Sequence, residues 1–195
     1  MKFPIKRYLK TEEYKNDYYE NFKTSFENID FVKVDEVIKI LDIVYTDKKR
    51  KVMICGNGGS AALANHFACD HQKLLSGLGN LRPFVLSLSA NTALMTAISN
   101  DNNYDYIFSD QIKQIGDKSD ILITISSSGN SKNIINAIKV AKKMSIKTIS
   151  LTGFDGGKSK NLADENIHIN SNNYGIIESL HHSVMNLISQ FLKNK

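Results

Sequence analysis

The sequence predicts an α/β fold in which a parallel sheet carries helices on both faces. Two observations point to it. From residue 51 onward, short runs rich in β-branched residues recur along the chain: "KVMIC", "PFVLSL", "DILITIS", "KTISL" and "NIHI". Each is followed by a glycine or serine turn and then by apolar residues at helical spacing. Parallel strands need crossover connections, and a chain that alternates strand with helix supplies them.

The elements follow in order. Residues 5 to 49 are polar and rich in Tyr, Lys and Glu, with Phe31, Val32, Val37, Ile38, Ile40 and Leu41 at helical spacing, which predicts two helices. An N-terminal helical extension, residues 1–49, thus precedes a single structural unit, residues 50–195. Only Pro4 and Pro83 occur, and no linker, repeat or low-complexity tract interrupts the chain. The last helix, from about Tyr174, carries Ile176, Ile177, Leu180, Val184, Leu187, Ile188 and Phe191 along one stripe. Its other face holds Glu178, His181, His182, Met185, Asn186 and Ser189.

Composition narrows the function. At 195 residues, 42% hydrophobic and 23% charged, the chain suits one soluble domain with a full core. Its net charge is +5, but the lysines are scattered and form no basic stripe with interleaved aromatics, so nucleic acid is not an expected partner. No apolar run is long enough to span a bilayer, and the basic start is not followed by an apolar signal core. Cys55 and Cys69 make neither a metal spacing nor a disulfide framework. A cytoplasmic protein is expected.

Two turns carry the candidate chemistry. "CGNGGSA", residues 55–61, links a strand to a helix and resembles a loose dinucleotide fingerprint. That fingerprint also needs an acidic residue at the end of the next strand, where "RPFVLSLSAN" offers serines and an asparagine, so a nicotinamide enzyme is disfavoured. More generally, glycines admit a ligand to the backbone, and free amides at a helix start favour a negative group; the plainer alternative is a chain turn with Ser60 as helix cap. The second turn, "ITISSSGNSKNII", offers Ser126, Ser127, Ser128 and Ser131 around one glycine. Four hydroxyls and the amides of a helix N-terminus can surround a phosphate; capping the helix would account for only one of them. Both turns lie at the carboxyl ends of parallel strands, so they are expected to share one crevice.

On "CGNGGSAALANHFA", "AISND" and "ISSSGNS" the chain resembles the sugar isomerase (SIS) domain family, in particular its sedoheptulose 7-phosphate (phosphoheptose) isomerases, from about residue 20 to the C-terminus. The resemblance implies a three-layer sandwich with a five-stranded parallel sheet, a homotetramer with sites at subunit interfaces, and a sugar phosphate as ligand. It implies that Asn57, Gly58, Gly59 and Ser60, with Asn100 and Asp101, contact the sugar. Ser126, Ser127, Ser128 and Ser131 are expected to hold the phosphate. The family's metal-binding members carry His and Glu four apart on the first helix, and Gln and His eight apart on the last; the matching residues here are His66, Asp70, Glu178 and Asn186.

Aldose–ketose isomerisation moves a proton between C1 and C2 through an enediolate, and so needs a base, an acid and stabilisation of an oxyanion. Asn186 does not titrate near neutral pH, and His182, one turn after Glu178, or the adjacent His181 stands in as acid. Asp70 or Glu178 is the expected base. A zinc ion held by His66, Asp70 and Glu178 and a metal-free site both stay open at this point. His71 and His168 are expected to be solvated or at an interface. Two readings compete: an isomerase supplying heptose for a surface polysaccharide, and a non-catalytic SIS protein that binds a phosphosugar or a partner.

Overall fold

The computed structural model describes residues 3, 4 and 6–195. Two helices open it, α1 (Thr11–Glu27) and α2 (Phe31–Thr46). They are followed by β1 (Val52–Gly56), α3 (Gly59–Leu74), β2 (Val85–Ser87), α4 (Thr92–Asp101), a 3-10 turn (Tyr104–Tyr106) and α5 (Ser109–Ile115). The second half runs β3 (Ile121–Ser126), α6 (Lys132–Lys143), β4 (Lys147–Thr152), α7 (Gly157–Leu162), β5 (Glu165–His168) and α8 (Tyr174–Asn194). Side chains cap several helix starts: Asp30 accepts from the Val32 amide, Asn91 from Leu94 and Asn173 from Ile176.

All five strands are parallel, in the order β2-β1-β3-β4-β5. Because successive side chains point to opposite faces, a central strand buried on both sides is mostly apolar, and where β3 and β4 bury polar residues these are paired, as Thr124 and Ser150 are at 2.7 Å. Val52 and Ile54 join Ile121, Ile123, Ile125, Ile149 and Leu151 under the layer formed by α1, α2, α3 and α8. Met53, Cys55 and Leu122 face the other way, onto Ile112 of α5 and Ile134, Ile138 and Ala141 of α6. The predicted three-layer arrangement is thus observed. The N-terminal helices share a core with the rest of the chain, since Val34, Val37, Ile38 and Leu41 lie in one cluster with Val184 and Ile188 of α8.

The buried face of α8 is wider than its apolar stripe. His181, Met185 and Ser189, expected on the outer polar face, are buried, while Phe191 is exposed. The helix meets the sheet on one side and α3 on the other, so two adjoining stripes are covered.

Strand order sets the site. The chain winds outward from β1 to β2 and then returns to place β3 on the opposite side of β1. Helices on the two sides of that point diverge, opening a crevice at the carboxyl ends of β1 and β3.

At the opposite end of the sheet, Asp120 is almost fully buried. It accepts from the amides of Lys51 and Asp117 and lies 2.7 Å from Lys51 Nζ. Burial alone would lower the Lys51 pKa, but its bonds to Asp117 and Asp120 outweigh that and raise it. Asp120→Ala is expected to cost about 3 kcal/mol in urea unfolding, because it leaves two amides without their acceptor and the mostly buried Lys51 ammonium with only the exposed Asp117. Breaking the exposed Lys15–Glu12 pair should cost less than about 1 kcal/mol.

Candidate active site

β1 ends in Gly56 and α3 begins at Gly59, a reversal within two residues. Gly58 sits at φ +53°, a conformation that disfavours a side chain. Gly59 lies close to α8: a Cβ there would approach Glu178 Oε2 to 3.2 Å, a contact that side chain relieves by a small shift. The α8 carboxylate therefore rests over the start of α3.

The serine turn is built against the loop after β4. Gly129 has φ +63°, and a Cβ on it would collide with the Gly156 carbonyl. Its own carbonyl accepts from both the amide and the hydroxyl of Ser159, and the Gly153 amide donates to the Ser127 carbonyl. Ser126 Oγ and Ser128 Oγ accept from the amides of Gly129 and Asn130. Ser131 occupies the N-cap position of α6 but makes no side-chain cap, so the capping account of this serine fails. Ser127 Oγ is buried without a hydrogen-bond partner among the described residues.

Both turns open into one cavity of about 170 Å³ at the crevice between β1 and β3. Asn57, Ser60, Ser126, Ser127, Ser128, Ser131 and Glu178 line it, and so does Tyr174, whose exposed ring packs edge-on against Phe154 at 4.6 Å. Glu178 is its one charged lining residue. Asn100 and Asp101 lie elsewhere, hydrogen-bonded to each other at the exposed end of α4 and outside the cavity wall.

Further along, α3 and α8 close on a tight cleft with no room for a water molecule, lined by His66, Asp70, His71, His182 and Asn186, among others. His66 Nε2 lies 3.0 Å from Asp70 Oδ2, and the His66 and His182 rings meet edge to face at 4.6 Å. His182 Nε2 is buried and has no partner among the described residues. Glu178, His182 and Asn186 succeed one another at intervals of four on α8, so cavity and cleft lie along one face of that helix.

Three histidine expectations are corrected. His181 does not face the cleft: it is fully buried, with Nε2 3.2 Å from the Thr152 carbonyl, and burial pushes its pKa down to about 4. His71 is neither solvated nor at the chain surface. It stacks on Phe67, shares a 2.6 Å hydrogen bond with the Tyr45 hydroxyl, and is pushed by burial down to about 3. His168 is half-buried and bonded to Thr152 Oγ1, with burial again lowering its pKa.

Of the three residues named for a metal, His66 and Asp70 contact each other, and Glu178 lines the cavity and not the cleft. No chemical step is derived through a metal ion.

Sequence reasoning did not find Tyr174 at the cavity mouth, or Asn133 and Tyr104, which hydrogen-bond to Asn57. The one local signal was the asparagine two residues after Ser131, which reads as an ordinary first-turn helix residue until the fold is known.

Residues 17–153 match the SIS domain family. The chain is 38% identical over 194 residues to a phosphoheptose isomerase of Sulfurimonas denitrificans, covering 98% of this chain and 96% of that protein. It is 42% identical over 149 residues to one from Aliarcobacter butzleri, covering 74% and 76%. Among solved structures it is similar to phosphoheptose isomerase GmhA from Neisseria gonorrhoeae, with TM-score 0.85, 28% identity and coverage of 95% and 99%.

The buried histidines make a pH prediction. Their pKa values are depressed in the fold, so their full contribution to stability is present above pH 6.5, the value for the unfolded chain. It is lost as pH falls from 6.5 toward about 4, by up to about 1.4 kcal/mol per pH unit for each. Urea unfolding at pH 7.5, 6 and 5 should show this decline, and His181→Gln should flatten it.

Proposed function

The chain belongs to the SIS-domain family of phosphoheptose isomerases, and we propose from this that it converts sedoheptulose 7-phosphate into D-glycero-D-manno-heptose 7-phosphate, for heptose biosynthesis. It is an aldose–ketose isomerase acting on a sugar phosphate.

The observation that carries the residue assignment is the lengthwise arrangement on α8. The substrate's phosphate is on C7 and its reacting carbons are C1 and C2, at opposite ends of an extended chain. The serine cavity and the partly exposed His66–Asp70 edge of the cleft lie in the same relation, and Glu178 to Asn186 spans about 12 Å of helix. In this reading Ser126, Ser127, Ser128 and Ser131 take the phosphate, through hydroxyls and the start of α6. Asn57, Gly58, Gly59, Ser60 and Glu178 take the middle of the sugar.

Asp70 is then the base. His66 holds its carboxylate by the 3.0 Å contact and leaves it partly accessible. It removes a proton from C1 of the ketose, the carbonyl electrons move to oxygen, and an enediolate forms. His182, whose ring meets that of His66 edge to face, carries the proton between the two oxygens before C2 is reprotonated. His181, hydrogen-bonded to Thr152 and away from the cleft, has no part in this assignment.

No described helix is long and apolar enough to cross a membrane. Assembly as a homotetramer belongs to the same proposal. Val32 and Ile43 on α2 and Phe191 on α8 are exposed large apolar side chains of the kind subunit contacts cover. Light scattering should return four chain masses, and a monomeric mass would refute the assembly.

Incubation with sedoheptulose 7-phosphate in deuterated water should place deuterium next to the carbonyl carbon. Asp70→Asn and His182→Gln should each lower kcat by about 100-fold or more while KM stays within a few-fold. Absence of exchange with every member of a panel of ketose phosphates would leave a binding protein in place of an enzyme.

A further inference from the structure

Asn57 and Asn133 face each other across the crevice between β1 and β3 and exchange hydrogen bonds through their amides. Asn57 Nδ2 donates to Asn133 Oδ1 at 3.0 Å, and Asn133 Nδ2 donates to Asn57 Oδ1 at 2.8 Å. A reciprocal pair of this kind has two self-consistent states, related by turning both amides over. One backbone group chooses between them. The Ile134 amide donates to Asn133 Oδ1 at 2.9 Å, which requires oxygen at that position. Asn133 is 2% exposed, so water cannot replace that contact cheaply. With Asn133 set, Asn57 is set too; the Tyr104 hydroxyl, donating to Asn57 Oδ1 at 3.0 Å, adds a contact to that side chain but, being able to accept as well, does not itself choose the state.

The accounting for Asn57 follows. An asparagine side chain has two N–H donors and an oxygen with two lone pairs. Here the oxygen accepts twice and one N–H is used, which leaves one N–H unspent among the described residues, on a side chain that lines the serine cavity. The ligand expected there is rich in oxygen and carries a phosphate.

We propose that Asn133, fixed by the Ile134 amide, is a positioning residue for substrate binding: it locks the Asn57 amide so that the cavity receives an N–H donor and never the amide oxygen. This rests on the sugar-phosphate reading of the cavity and adds to it a residue that touches no substrate. The anchoring extends outward, since Asn136 Nδ2 donates to the Asp105 carbonyl and ties the 3-10 turn carrying Tyr104 to α6. The glycine turn, the serine turn and the 3-10 turn are thereby held as one frame.

Asn133→Asp tests it with little change of shape. One carboxylate oxygen still accepts from Ile134 and Asn57, while the other replaces the donor and faces Asn57 Oδ1. Asn57 then meets one attraction and one repulsion in either orientation, so the selection is lost and its oxygen can face the cavity. Kd for sedoheptulose 7-phosphate by calorimetry, and KM with it, should rise about twofold or more, with kcat within twofold of wild type. Asn133→Ala removes the lock without adding a charge and should raise Kd in the same direction, and it carries the test if Asn133→Asp does not fold. A merely structural role would reduce the active fraction, lowering kcat with KM and Kd unmoved, and that result overturns the proposal. Wild-type chain that binds the sugar phosphate without deuterium exchange would sink the isomerase reading alone; exchange with Kd unmoved in the variants would sink the clasp alone.

Discussion

The parallel pairing of β1 with β3, which ends with Gly56 opposite Ile125, is the constraint on which the site depends. It sets the glycine turn and the serine turn side by side, although some seventy residues separate them. A side chain on Gly56 would collide with the Ser60 carbonyl, so α3 can start close to the strand end only because that position is bare. The crevice is thus a product of ladder register and of one absent Cβ. Once it exists, α8 closes it by bringing Glu178 over Gly59 and His182 beside His66.

For the phosphate site proposed here, the cavity has an unusual composition. It offers hydroxyls and helix starts, and its charged lining residue is an acid. Attraction for a phosphate must then come from oriented dipoles at close range and from the chain's net charge of +5 at long range. Such a site depends more on geometry than a lysine or arginine clamp does, because a dipole that turns over changes from attraction to repulsion. Locked amides around it are consistent with that requirement, and so is a serine loop held through Gly129 against the loop after β4.

Histidines in this chain divide by burial. His71 and His181 are core residues kept neutral by desolvation, one against Tyr45 and one against the Thr152 carbonyl. His66 and His182 lie at the seam between α3 and α8, where a carboxylate and an unpaired ring nitrogen are within reach of each other's surroundings. Adjacent residues on a helix, His181 and His182, therefore belong to different chemistries, separated by 100° of rotation.

What the sequence by itself determined was whatever local periodicity and turn chemistry encode: five strands, the crossover helices and the two turns, with the candidate status of His66, Asp70, Glu178 and His182 following from the family resemblance. Those features depend on residues within a few positions of one another, so they are legible without coordinates. Only the tertiary structure decided which way each side chain of α8 faces, because a helix covered on two sides buries polar positions that a single apolar stripe leaves outside. It also decided the partnership of Asn57 with Asn133, the support of Gly129 by Gly156, and the separation of Glu178 from the His66–Asp70 pair. These join segments far apart in the chain, and the distance between such segments is set by how sheet and helices pack, a quantity that no local pattern contains.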